Sequence, residues 1–133
     1  MKVLLTGATG FVGSHVLDSL RSRHIPVAVL LRPASSRRLI EHRLPEIEVS
    51  AGSISDPATL DHALEDVSHV IHCAGLTKAV RSEELYTTNQ LGTRNVVEAI
   101  NKKLGRIERL IHISSLAAAG PAGQGLLAQV EAV

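Results

Sequence analysis

The apolar residues of this chain are concentrated in five short runs, separated by longer segments of mixed character. The runs are rich in Val, Leu and Ile, and they occupy residues 3–5, 27–31, 47–49, 70–71 and 110–113. The runs at 3–5, 27–31 and 70–71 contain no polar residue, and continuous apolar runs are typical of strands covered on both faces of a sheet. The pattern therefore predicts five buried β-strands.

The segments between these runs repeat their apolar positions with the spacing of amphipathic helices. The predicted helices span residues 12–23, a short stretch near 36–43, residues 57–66 and a long stretch at 83–104. Asp56 before Pro57 is a typical N-cap followed by a proline in the first turn, and Ser82 is a second predicted cap. Gly105 follows a basic last turn, so it is the predicted terminator of the long helix.

Strands and helices that alternate along the chain predict an α/β fold built on a parallel sheet. Right-handed crossovers then give a doubly wound Rossmann arrangement, with strand order 3-2-1-4-5 and helices on both faces. Ligands of such folds bind beyond the carboxyl ends of the strands, near the switch point between the first and fourth strands. The residues at these ends are Thr6 and Gly7, Arg32, Gly52 and Ser53, residues 72–75, and Ser114 and Ser115.

Three glycines follow the first strand at intervals of three residues, and a helical pattern begins among them. Gly7 permits a tight turn, Gly10 lets backbone N–H groups approach a pyrophosphate, and Gly13 lets the helix pack closely on the sheet. The N-terminus of the helix adds unpaired N–H donors, which favour an anion. A glycine triplet between a strand and a helix therefore predicts a dinucleotide site.

Arg32 ends the second strand and lies nineteen residues beyond Gly13. A site that prefers NAD usually carries a carboxylate here, which binds the ribose hydroxyls and would repel a 2′-phosphate. An arginine with hydroxyl groups nearby, here Ser35 and Ser36, would instead pair with that phosphate. We therefore expect NADP as the cofactor, with NAD as the alternative.

Composition narrows the class of protein. The 133 residues are 44% hydrophobic and 20% charged, with a formal net charge of +1, which fits one folded domain and gives no reason to expect a nucleic acid partner. The one cysteine, Cys73, cannot form an intramolecular disulfide, and no apolar run is long enough to span a membrane, so the cytoplasm is the expected location. His72 and Cys73 are adjacent on a strand and point to opposite faces, so no metal site is expected.

Six segments, in this order, resemble the short-chain dehydrogenase/reductase superfamily: TGATGFVGSHV, LLRP, DPATLDHAL, VIHCAG, NQLGTRNVVEAI and IHISSLAAAG. The resemblance is to the extended subgroup of the NAD(P)-dependent epimerase/dehydratase type, and it covers about residues 1–120. It implies an NAD(P)-binding Rossmann domain over residues 1–120, with residues 121–133 as an irregular or partly helical tail.

The same resemblance implies roles for individual residues. Residues 72–75 match the segment that supports the adenosine and nicotinamide riboses, and Asn89 matches a helix asparagine that steadies the active-site backbone. The residues expected to bind the cofactor are Thr6, Gly7, Thr9, Gly10, Phe11, Val12, Gly13, Arg32, Ser53, Ile54, Cys73, Ala74, Gly75 and Asn89.

Ser115, five positions before Gly120, matches the family serine that hydrogen-bonds the substrate carbonyl or hydroxyl, and it is the expected catalytic residue. A hydroxyl at the end of a strand can donate to negative charge that develops on the substrate oxygen. The alternative is a serine that only satisfies nearby backbone groups.

The chain departs from the family at its acid/base pair. The family uses Tyr-x-x-x-Lys, in which the lysine lowers the tyrosine pKa so that the phenol can exchange a proton with the substrate. The only tyrosine here is Tyr86, and Gln90 stands four positions after it. We therefore expect the NAD(P)-binding portion of an epimerase, dehydratase or reductase that acts on an unidentified hydroxyl or carbonyl substrate and is inactive alone.

The alternative is a non-catalytic NADP-binding module, acting as a redox sensor or a partner subunit. In either case we expect a chain that is truncated after its fifth strand, which leaves an exposed sheet edge and uncovered apolar surface. Such surface predicts a homo-oligomer.

Overall fold

The computed structural model describes residues 1–115 and Ala118. Its strands are β1 (Val3–Thr6), β2 (Val27–Leu31), β3 (Glu48–Ala51), β4 (His69–His72) and β5 (Arg109–His112). They form one parallel sheet in the order β3-β2-β1-β4-β5, which confirms the predicted fold. The predicted tail, residues 121–133, lies outside the described residues.

The register of the sheet aligns the carboxyl ends of its central strands. Thr6, the last residue of β1, lies opposite Leu30 of β2 and His72 of β4. The loops that leave these strands therefore start from the same edge of the sheet, where a ligand of a doubly wound fold binds.

The helices are α1 (Phe11–Ser22), α2 (Pro57–Ala63), α3 (Ser82–Leu85) and α4 (Gly92–Asn101). A π-type segment, Tyr86–Leu91, joins α3 to α4, and the residues on both sides of it have right-handed helical dihedrals. Residues 82–101 are therefore one continuous helix, here called the long helix. It ends three residues before the predicted end at 104, and Gly105, with φ 89°, lies in the turn that follows.

Two local predictions are wrong. The segment near 36–43 is not an α-helix; a 3₁₀ helix at Glu41–Glu46 overlaps its last three residues and contains Pro45, which has no N–H for an α-helical bond. Ser82 does not cap the long helix, because Arg81 is the residue before its first turn and no side chain accepts a bond there. The cap at Asp56 is confirmed: its Oδ1 accepts from the Ala58 N–H at 3.1 Å.

Apolar side chains pack on both faces of the sheet, which confirms the prediction that helices cover both faces. On one face, Leu4 and Val70 pack with side chains of α2 and the long helix, such as Leu60 and Val96. On the other face, Leu5, Val29 and Leu31 pack with Leu17 of α1.

The prediction that all five strands are buried is wrong for the outer two. Val49 of β3 is 38% exposed and Ile111 of β5 is 45% exposed, because each outer strand pairs with a neighbour on one side only.

Among the described residues, no helix is long and apolar enough to cross a membrane.

Candidate functional site

The turn between β1 and α1 requires glycine at two positions. Gly7 has φ 73°, and a Cβ there would lie 2.5 Å from the backbone nitrogen of Ala74 at the end of β4. A Cβ at Gly13 would collide with the carbonyl oxygen of Gly7. These contacts fold the turn tightly over the sheet and bring the first turn of α1 against it.

Gly10 differs from the other two glycines. A Cβ there would meet only the Gly7 carbonyl oxygen, at 3.4 Å, and the backbone is extended at φ −85° and ψ 171°. Packing within the chain therefore does not require glycine at this position. Gly10 is the N-cap of α1, with no side-chain cap bond and no acidic residue in the first turn, so that turn presents N–H donors rather than negative charge.

A cavity of about 320 Å³ opens beside this turn, at the carboxyl ends of the central strands. That volume lies within the roughly 300–1,000 Å³ of ordinary small-molecule sites. Its lining residues are Thr6, Gly7, Thr9, Gly10, Leu30, Arg32, Ser35, Gly52, Ser53, Ile54, Ser55, Cys73, Ala74, Gly75, Leu76, Thr87 and Thr88.

The cavity brings together most of the residues expected to bind a cofactor. Those that line it come from the glycine turn and from the ends of β2, β3 and β4: Thr6, Gly7, Thr9, Gly10, Arg32, Ser53, Ile54, Cys73, Ala74 and Gly75. These residues are far apart in the sequence, and the parallel sheet places them around one opening.

The remaining expected residues lie outside the lining. Phe11 and Val12 are exposed at the start of α1, at 76% and 48%, and Gly13 is buried beneath Gly7. Asn89 is exposed on the long helix; its Oδ1 accepts from the Leu76 N–H at 2.7 Å and its Nδ2 donates to the Leu76 oxygen at 2.9 Å. Ser115 is exposed beyond β5, and its carbonyl oxygen accepts from the Ala118 N–H.

Sequence reasoning missed several lining residues, namely Leu30, Ser55, Leu76, Thr87 and Thr88. Thr87 and Thr88 are consecutive, and both reach the cavity from the π-type segment of the long helix. Helical periodicity alone gives no signal for two adjacent residues on one wall, because successive α-helical side chains point about 100° apart. A π-type turn frequently marks a functional site, but the apolar pattern of the sequence does not predict one here.

The lining has a distinct chemistry. Hydroxyl groups come from Thr6, Thr9, Ser35, Ser53, Ser55, Thr87 and Thr88. Among the described residues that line the cavity, Arg32 carries the one permanent charge and none is acidic. Ser35 turns back beside Arg32, since its N–H donates to the Arg32 carbonyl oxygen at 3.0 Å. Hydroxyls, backbone N–H groups and a guanidinium favour a ligand with phosphate and sugar groups.

A buried histidine supports the floor of the cavity. The His72 imidazole is fully buried, with Nδ1 2.6 Å from Thr6 Oγ1 and Nε2 2.9 Å from Thr93 Oγ1 of α4. Thr6 Oγ1 also accepts from the Ala74 N–H at 3.3 Å. Burial, with a smaller effect of the nearby His112 charge, lowers the His72 pKa from 6.5 to about 4. The ring is therefore neutral at pH 7 and links β1, β4 and α4 by hydrogen bonds.

Cys73, the next residue, faces the opposite side of the sheet and packs partly against the side chains under α1. Burial raises the pKa of its thiol, so the thiol is protonated at neutral pH. The described residues contain no group of three or more His, Cys, Asp or Glu side chains arranged to hold a metal ion.

The chain is similar in sequence to a known family and to individual members of known function. The NAD dependent epimerase/dehydratase family matches residues 3–132. A ceramide reductase of Caulobacter vibrioides is 36% identical over 119 residues, which are 90% of this chain and 36% of that protein.

Solved structures that are similar to this chain include complexes with NAD and with NADPH. The UDP-glucose 4-epimerase of Thermus thermophilus in complex with NAD has a TM-score of 0.71 at 27% identity, over 83% of this chain and 36% of that one. Yeast methylglyoxal/isovaleraldehyde reductase Gre2 complexed with NADPH has a TM-score of 0.76 at 25% identity, over 89% of this chain and 38% of that one. The chain spans about a third of the length of these three relatives.

Proposed function

The chain belongs to the NAD dependent epimerase/dehydratase family, and from that premise we propose that it is the cofactor-binding portion of an oxidoreductase. The cofactor is a nicotinamide dinucleotide, NADP in preference to NAD. The whole protein acts on a hydroxyl or carbonyl substrate. Solved relatives hold NAD in several cases and NADPH in another, so the family accommodates both cofactors.

The observation that carries this proposal is the position of Gly10 at the mouth of the cavity. No contact among the described residues requires glycine there, yet a side chain would project from the cap of α1, beside the cavity that Gly10 lines. A pyrophosphate bound to the N–H groups of that turn would need this space. The residues present therefore fit a dinucleotide.

Arg32 and Ser35 support the preference for NADP. Both line the cavity where β2 ends, and the described lining contains no carboxylate to repel a 2′-phosphate. Arginine pairs with phosphate through charge-assisted hydrogen bonds, which are about twice as strong as neutral ones. Arg32 would hold the 2′-phosphate of the adenosine ribose, and Ser35 would donate its hydroxyl to the same group.

The chain itself supplies little of the reaction chemistry. A bound nicotinamide gives or accepts the hydride. We assign to Ser115 the donation of a hydrogen bond to the substrate oxygen. Because Tyr86 has no lysine four positions after it, residues 1–133 alone would bind the dinucleotide without turnover.

The test is a titration of the folded protein with NADPH and with NADH, followed by nicotinamide fluorescence. We expect saturable binding of both, with NADPH bound more tightly. No saturable signal with either dinucleotide would refute the proposed site, and tighter binding of NADH would refute the role of Arg32.

A matched pair of variants tests the role of Arg32 separately. Arg32→Ala should raise the Kd for NADPH by roughly ten- to a hundredfold and leave the Kd for NADH nearly unchanged, because only NADPH carries the 2′-phosphate. Arg38→Ala is the control, since Arg38 is exposed nearby but does not line the cavity. Equal losses in the two variants would show a general charge effect instead.

A non-catalytic NADP-binding module is the second candidate, because the residues that line the cavity are all explained by binding of the cofactor. A redox sensor must distinguish the oxidation states of its ligand. Such a module should therefore bind NADPH and NADP⁺ with clearly different affinities, which competition titrations would measure. Equal affinities would remove the sensor role.

A further inference from the structure

The segment between β3 and α2 forms one wall of the cavity, and hydrogen bonds from two helices hold it in place. Gly52, Ser53, Ile54 and Ser55, here called the serine wall, all line the cavity. The wall starts beside β2, since the Gly52 N–H donates to the Leu31 carbonyl oxygen at 2.9 Å. It therefore lies next to Arg32, at the end of the cavity assigned above to the adenosine half of the cofactor.

Contacts from α2 hold the first half of the serine wall. Thr59 Oγ1 accepts from the Ser53 N–H at 3.1 Å, and it lies within hydrogen-bond distance of the carbonyl oxygens of Ser53 and Asp56. A Cβ at Gly52 would lie 2.6 Å from Thr59 Cβ. The wall is therefore pressed directly against the first turns of α2.

Contacts from the long helix hold the second half. Asn95 Nδ2 donates to the Ile54 carbonyl oxygen at 3.0 Å, across 41 residues of sequence. The Ile54 side chain is buried and packs on Gly92, where a Cβ would lie 2.6 Å from Ile54 Cδ1. One turn of the helix thus fixes both the main chain and the side chain of Ile54.

Asn95 is one of three polar side chains of the long helix that hydrogen-bond to residues in the cavity lining or beneath it. Asn89 bonds to Leu76, Thr93 bonds to His72, and Asn95 bonds to Ile54. Leu76 and Ile54 line the cavity, and His72 lies beneath it. Asparagine has a lower helix propensity than alanine in a helix interior. Its place here therefore agrees with a role in a tertiary contact.

We propose that Asn95 is a positioning residue for the cofactor site: its side-chain N–H holds the Ile54 carbonyl oxygen so that Ser53 and Ser55 face the adenosine half of the dinucleotide. This inference rests on the proposed function. Ser53 and Ser55 already share a hydrogen bond at 2.8 Å between their hydroxyls, and the Ser55 N–H donates to Ser53 Oγ. Fixing Ile54 between them fixes both hydroxyls.

The test compares Asn95→Asp and Asn95→Ala with the wild-type 133-residue chain. Aspartate has the shape of asparagine but places an oxygen opposite the Ile54 carbonyl, so it removes the donor and keeps the volume. Asn101→Ala is the control, because Asn101 is exposed at the end of the same helix. NADPH and 2′,5′-ADP, which contains only the adenosine half, are the ligands.

We expect both Asn95 variants to raise the Kd of NADPH and of 2′,5′-ADP by about five- to tenfold, equally for the two ligands. The control should bind like the wild type. Asn95→Asp binding like the wild type would overturn the proposal, since packing alone would then explain Asn95. A loss confined to NADPH would overturn the placement of the adenosine half.

Hydrogen exchange read by mass spectrometry separates this inference from the proposed function, because it needs no ligand. Amides of residues 53–55 should exchange several-fold faster in Asn95→Asp than in the wild type and the control. If the wild type binds neither dinucleotide but exchange accelerates, the proposed function fails while the contact to the serine wall stands. Unchanged exchange in Asn95→Asp overturns the inference whatever the ligand data show.

Discussion

His72 is a titratable side chain that is buried in the protein interior. Its ring is fully buried between Thr6 and Thr93, and its pKa is lowered from 6.5 to about 4. Between these two values the unfolded chain binds a proton at His72 and the folded chain does not. The free energy of unfolding should therefore fall as pH decreases from about 6.5 to about 4, by up to about 1.4 kcal/mol per pH unit from this group.

Urea unfolding at several pH values measures this slope. His72→Gln, which cannot take up a proton, should be less stable at pH 7 but should lose most of the slope between about pH 6.5 and 4. His24→Asn is the matched control, because His24 is exposed with φ 56°, a conformation that asparagine tolerates. A slope that survives in His72→Gln would show that the proton uptake belongs to other groups.

Among the helices, α2 begins at the N-cap that the sequence predicts, Asp56. Its carboxylate caps α2, a helix of 7 residues that carries the contacts to the serine wall. Asp56→Ala should lower the free energy of unfolding by about 1 kcal/mol, since the first turn of α2 loses an accepted hydrogen bond. Thermal or urea unfolding checks this value, with Asp66→Ala, at an exposed position after the helix, as the control. Equal effects of the two substitutions would contradict the cap.

Elements set by local patterns could be predicted, and those set by tertiary packing could not. The run before Gly7 and the helix after it depend on neighbouring residues, so β1, α1 and the turn between them could be predicted. The strand order could be predicted because strands and helices alternate and crossovers are right-handed. The exposure of β3 and β5 depends on their place at the edges of the sheet, which apolar runs do not reveal. Thr87 and Thr88 line the cavity from the π-type segment of the long helix, which helical periodicity does not predict. The sequence therefore indicated the glycine side of the site and missed the wall from the long helix.

Apolar side chains on the outside of the whole molecule predict self-association. Ile111 and Ile113 at β5 are 45% and 41% exposed, and Val97 on α4 is 37% exposed. Covering such side chains stabilises a complex by about 25 cal/mol per Å² of apolar surface. Light scattering should therefore show a dimer or larger species at high concentration, and Ile111→Lys should shift it toward the monomer. A monomer across the concentration range would contradict this prediction.

The turn from Gly7 to Gly13 is the proposed binding site for the pyrophosphate of a nicotinamide dinucleotide. The most direct test is NADPH binding to Gly10→Val beside the wild type, followed by nicotinamide fluorescence. Because the Gly10 backbone is extended and its surroundings are open, the variant should still fold, with a modest loss of stability because valine is a poor N-cap for α1. Its valine would fill the space of the phosphates, so saturable binding should be lost. Unchanged affinity in the folded variant would contradict the site.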